Sequence, residues 1–176
     1  MKQRRGREKG FVMAEVIVAM VILGIISVIA VPNIVGTIQR IRLNGAAQKL
    51  ASDIRYTREL ALSRHGTFGI EFDTANNSYQ LFQLNGATKT VITDPYRQGN
   101  MVIDFDTRPE FGGVTISSVS SCVGICATQE LRINAFGKPL DASNAAFTSP
   151  ATVTLQNGSL TRTIQVSQQT AFAELI

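Results

Sequence analysis

Glu15 is the only charged residue in a run of 21 residues, Phe11 to Val31, that closes at Pro32. A carboxylate inside such an apolar helix costs about 3 kcal/mol at mid-membrane and calls for a partner. That is the chemistry of an ion pair in a low-dielectric bundle and not of bond breaking. Residues that could break bonds are sparse. His65 is the single histidine and follows Arg64, where a cation suits a helix C-terminus. With the two cysteines it cannot complete a four-ligand zinc site. Asp104, Asp106 and Glu110 suggest calcium by type but lack an EF-hand spacing, and alternating acids on a strand read as its solvated face. No GxSxG elbow, Walker glycine pattern or dinucleotide glycine pattern occurs. No catalytic residue, metal or cofactor is expected.

The elements around Glu15 explain the charge of the chain. It carries 17 Lys+Arg against 13 Asp+Glu, a net of +4. Lys2, Arg4, Arg5, Arg7 and Lys9 against Glu8 already give 5 − 1 = +4, so residues 11–176 hold 12 of each sign. The basic character belongs to residues 1–10, and nucleic-acid binding does not follow from it. At about 1.5 Å per residue, 11–31 reaches roughly 30 Å, enough to span the hydrocarbon of a lipid bilayer. A basic flank keeps the N-terminal end cytoplasmic and sends the rest outward. An uncleaved anchor, or an ordinary secretory signal cut after Val28-Ile29-Ala30, is the alternative; the apolar run is long for a signal core and contains Glu15.

The sequence Gly10-Phe11-Val12-Met13-Ala14-Glu15, with Pro32 further on, resembles the class III signal of type IV pilins and type II secretion pseudopilins. Val12 and Met13 stand where that family usually has Thr and Leu. The resemblance implies cleavage by a prepilin peptidase between Gly10 and Phe11, N-methylation of Phe11, and a filament-assembly role for Glu15. Physical chemistry is compatible with each step. Gly10 has no side chain to block a narrow protease site. Cleavage leaves an α-amine that is mostly protonated at neutral pH, and it could pair with Glu15 of a neighbouring subunit. Pro32 lacks an amide hydrogen and predicts a helix kink or local melting.

From Ile34 to Ser63 no proline occurs, and Ile34, Ile38, Ile41, Leu43, Ala47, Leu50, Ile54 and Ala61 recur at helical steps. Arg40, Arg42, Lys49, Asp53, Arg55 and Arg58 fall among the polar positions. One helix is predicted from about Phe11 to Ser63, ended by Gly66, with its 32–63 part amphipathic. After it the pattern alternates. TFGIEFD sets Phe68, Ile70 and Phe72 on one face, and YQLFQL follows the turn at 74–78. Further strands are read in TKTVIT, MVIDFD, GGVTISSV, ELRINAF, ATVTLQ, SLTRTIQV and TAFAEL, with Asn157-Gly158 marking a hairpin. Residues 64–176 suffice for one α+β core of mostly antiparallel sheet on helix. Cys122 and Cys126, carried outward, are expected to form a disulfide. So small a ring stiffens its own loop, either as a local staple or as the frame of an exposed contact loop.

The stretch AQKLASDIRYTRELALSRHGTFGIEFD, and LRINAFGKPLD with Phe136, Gly137 and Pro139, are similar to the GspH/FimT group of minor pseudopilins and minor pilins. This implies a pilin-like fold and a minor subunit of a type II secretion pseudopilus or type IV pilus, sited near the filament tip. Its expected partners are prepilin peptidase, other pilins or pseudopilins, the inner-membrane assembly platform and membrane lipid. The implied place is the bacterial inner membrane, single-pass, with the C-terminal domain periplasmic before entry into the filament. Some FimT-like proteins are thought to take up DNA through a basic tail. Here Arg162 is the tail's only cation, and phosphate binding needs several together, so DNA is not an expected partner unless Arg97, Arg108 and Arg132 cluster. The rival reading is a periplasmic enzyme or binding domain on a simple N-terminal anchor, and the sequence offers no catalytic pair for it.

Overall fold

The computed structural model describes residues 13–95, 98–120 and 129–176, without the side chains of 29–33. It divides into two compact units, Met1–Ile38 and Gln39–Ile176. Helix α1 (Met13–Ser63) contributes to both, and its helical assignment continues through Pro32.

In the first unit the helix is apolar all round. Ile17, Met20, Leu23 and Ile26 are all exposed, as are Ile34, Val35 and Ile38. Among the described residues no helix is long and apolar enough to cross a membrane. The part of the expected span whose side chains are described, 13–28, falls short of the ~20 residues a bilayer requires.

In the second unit α1 is amphipathic and its inner face is closed. Leu43, Ala46, Ala47, Leu50, Ala51, Ile54, Leu60 and Ala61 are buried. The expected stripe therefore splits, because Ile34, Ile38 and Ile41 stay exposed while burial begins at Leu43. Asp53, expected among polar positions, is also buried. It lies three residues after Leu50 and four before Thr57, on the same inward stripe.

The strands are β1 (Thr67–Asp73), β2 (Ser78–Asn85), β3 (Thr88–Val91), β4 (Val102–Asp104), β5 (Thr115–Ser120), β6 (Glu130–Ile133), β7 (Pro139–Leu140), β8 (Ala151–Asn157), β9 (Leu160–Val166) and β10 (Ala173–Leu175). A short 3-10 turn, Pro109–Phe111, precedes β5. They form two antiparallel sheets: β3-β2-β1-β6-β7 with β4 beside β2, and β10-β9-β8-β5. The β8–β9 hairpin pairs Asn157 with Leu160 across Gly158, which takes φ +62°.

One apolar core joins the buried face of α1 to both sheets. Phe68, Ile70 and Phe72 enter it from β1 as the alternation predicts. Rings of Phe72, Tyr79, Phe105 and Phe111 follow one another at centroid separations of 6.1, 5.7 and 5.5 Å. Asn77, buried at the β1–β2 turn, ties the two sheets together. Its side chain donates to the Val114 carbonyl (2.7 Å) and to Asp106 (2.9 Å), and accepts from the Ile116 amide (2.8 Å).

The end of α1 differs from the glycine stop read in the sequence. The left-handed residue is His65, at φ +49°, and the Gly66 amide closes back on the Ala61 carbonyl at 3.2 Å. That is a Schellman-type end with a non-glycine residue in the strained position.

Candidate functional site

The residues expected to act lie on α1 or outside the described part of the chain. Gly10, Phe11, Cys122, Cys126 and Arg97 belong to the latter. Glu15 sits in the first turn of the described helix, exposed among Val16, Ile17, Val18 and Met13. Among the described residues no hydrogen bond or ion pair reaches its carboxylate. A carboxylate exposed on an otherwise apolar helix, with no partner among the described residues, is the candidate site of the first unit.

Charges in the second unit are handled in the opposite manner. Asp53 takes the ammonium of Lys49 on one oxygen and the Tyr79 hydroxyl on the other at 2.7 Å, while Thr57 Oγ1 donates to its carbonyl at 2.8 Å. Burial first, and then the charge of Asp53, push the Tyr79 phenol well above its ordinary range. On the outer face of the larger sheet, buried Glu130 is held between Lys89 and Arg132, the latter at 2.9 Å. Lys89 also bridges to Glu71 at 3.0 Å, and Gln80 donates to Glu71 at 2.7 Å. Burial pushes the Glu71 carboxyl up, but the bonds from Gln80 and Lys89 and the charge of Lys89 outweigh it and hold the group below its usual range. The same carboxylates raise Lys89 against the opposing effect of burial. Sequence reasoning missed this cluster, although Glu130 and Arg132 two apart on a strand were a same-face pair.

The remaining candidates have local tasks. Asp104 accepts from the amides of Asp106 and Thr107, and Asp106 accepts from Asn77. No group of three or more His, Cys, Asp or Glu able to hold a metal occurs among the described residues. Arg132 is committed to Glu130, Arg162 donates to Asn44 at 2.9 Å, and Arg108 lines a cleft of about 500 Å³ with Lys49, Asp53 and Tyr56. His65 is exposed at the helix end.

Together these features describe a domain with a closed core and a helix whose apolar first half is exposed. The sequence profile of the family described as Type II transport protein GspH matches residues 46–170, and the chain belongs to that family. Among solved structures it is similar to the minor pseudopilin EpsH from the type II secretion system of Vibrio cholerae, at 14% identity and TM-score 0.55 over 77% of this chain and 96% of that one. A second structure of EpsH matches at 13% identity and TM-score 0.53, covering 77% and 93%. The type IV minor pilin FimU of Pseudomonas aeruginosa matches at 18% and TM-score 0.49, covering 76% and 92%. At these identities the likeness is one of fold. Comparison with curated proteins finds no match. The α+β, pilin-like architecture and the family read from the sequence both hold, and they support the role of a minor subunit of a type II secretion pseudopilus or type IV pilus.

Proposed function

We propose that the chain is made as a precursor, cut by a prepilin peptidase between Gly10 and Phe11, and N-methylated on Phe11. Residues 11–31 hold it in the bacterial inner membrane, with 32–63 continuing the helix and 64–176 in the periplasm. An assembly platform then passes it into the filament, near the tip. There Glu15 pairs with the N-terminal amine of a neighbouring subunit, Pro32 loosens the helix, and Cys122 and Cys126 close a small disulfide. Its part is structural, without catalysis of its own. The observation that carries this reading is Glu15, exposed on an apolar helix with no partner among the described residues, in a chain of the GspH family.

The test is intact-mass and N-terminal analysis of the protein extracted from the membranes of its native host. A chain beginning at N-methyl-Phe11 is expected. A chain beginning at Met1, or near Val31, overturns the processing and the assembly that depends on it.

A further inference from the structure

Two phenylalanines stand out of the second unit, Phe136 with 85% and Phe172 with 52% of its surface exposed. Single exposed apolar side chains are ordinary, but these two are anchored to the same stretch of α1. A Cβ built on Gly137 would stand 3.5 Å from Arg58 Nε and 3.3 Å from Leu62 Cδ2, so the Phe136 turn rests on Arg58 and Leu62. Arg58 Nε donates to the Thr170 carbonyl at 2.6 Å, Arg55 donates twice to the Ala173 carbonyl at 3.2 and 2.7 Å, and its guanidinium lies 4.8 Å from the centre of the Phe172 ring.

Both rings are held by finished backbone. Asn134 Oδ1 accepts the amides of Phe136 and Lys138 at 3.0 Å each, and Gly137 takes φ +75°. Ala171, buried beside Phe172, takes φ +51°, and its amide returns to the Ser167 carbonyl at 3.0 Å. A left-handed alanine is strained, and it sends Phe172 outward between buried Ala171 and Ala173. Rigid aromatic rings lose little entropy on docking, and aromatic side chains with arginine are the composition of interface hot spots.

We infer that Phe136 and Phe172, with Arg55, Arg58 and Lys138, form a docking surface for a neighbouring filament subunit that presents carboxylates around an apolar hollow. Charge selects that partner. The bonds of Arg58 use Nε alone, Arg55 retains Nη1, and the Lys138 ammonium makes no bond within this chain among the described residues. A minor subunit has mainly other chains as neighbours, which favours a different chain over a second copy. The inference rests on the filament reading above.

Full-length chain carrying Phe136→benzoylphenylalanine is expressed in the native host and photolysed, beside a chain carrying Ile17→benzoylphenylalanine to report entry into a helix bundle. The expected result is one adduct from position 136 to another pilin-type chain, with Asp or Glu in the cross-linked peptide. Lys138→Glu, which breaks no bond among the described residues, and Arg58→Glu should each lower its yield about ten-fold, the equivalent of 1.4 kcal/mol, and Arg58→Lys should restore most of it. Adducts from Ile17 with none from position 136 overturn the surface and leave the filament reading standing. Adducts from neither overturn both. An adduct to a second copy or to lipid, or one indifferent to Lys138→Glu, overturns the assigned partner.

Discussion

Glu15 and Asp53 are both carboxylates on α1, and the chain treats them oppositely. Asp53 is 4% exposed, with Lys49, Tyr79 and the turn of Thr57 around it. Glu15 is exposed among apolar neighbours and accepts no bond among the described residues. The apolar side chains follow suit: Leu50 and Ile54 are 0% exposed, whereas Met20 is 67% and Leu23 63% exposed. The helix completes its burial in its second half and leaves the described side chains of its first half exposed. Changes in the second unit should therefore register in the fold, and changes in the first in assembly.

The largest expected effect is at Gly69, on the outer face of β1. It is paired in register with Phe82, whose buried ring covers the bare backbone, an arrangement in which an aromatic side chain rescues a strand glycine. A Cβ there would stand 2.6 Å from the Phe82 ring and 2.9 Å from the Leu131 carbonyl. The carbonyl cannot retreat without breaking the β1–β6 pairing, so Gly69→Ala should cost about 3 kcal/mol, read by thermal or denaturant unfolding. A near-neutral result would mean that the outer face of the sheet is loosely packed, and the contrast between the two units would weaken.

Asp53→Ala comes next, at about 2 kcal/mol, because it strands a buried tyrosine hydroxyl and unpairs Lys49. It also changes the alkaline limb of stability. The Tyr79 phenol is raised in the folded state, so its contribution is complete below the unfolded value near 10.0 and is lost as pH rises through the higher folded value. Stability should fall above about pH 10. Asp53→Asn, which removes the carboxylate charge, should bring tyrosinate absorbance at Tyr79 to lower pH. An unchanged titration would leave burial as the sole cause.

Much of the second unit was legible because its signals are local. Alternation placed Phe68, Ile70 and Phe72, and Asn157-Gly158 placed the last hairpin. Asp53 reads as polar by residue type but is buried by period: 50, 53, 54 and 57 are one stripe whatever occupies them. The two-sheet division was illegible because it depends on pairings between distant segments, β1 with β6 and β5 with β8. The outer-face ion cluster depends on the same registers. For Glu15 the fold adds only its exposure, and the sequence, with its single charge in an apolar run, carries the proposed role.

At the end of α1 the sequence pointed to Gly66, but the left-handed position belongs to His65. His65→Gly should relieve that strain and stabilise the domain by about 1 kcal/mol, a rise in melting temperature small enough to need the domain's own transition. Destabilisation would mean that the exposed imidazole at the helix end contributes more than its backbone costs.

Glu15→Val should move that transition least, by less than about 0.5 kcal/mol, because the residue is an exposed one outside the buried core. Its effect belongs elsewhere. The variant should enter the membrane at least as well as the parent, having lost the one charge in its apolar run, and yet fail to enter filaments, read as the ratio of filament-bound to membrane-bound protein. Equal incorporation would show that the apolar faces alone drive assembly and that Glu15 needs no partner. A shifted domain transition would break the comparison from the other side, since the open half of α1 would then be contributing to the fold it was supposed to leave alone.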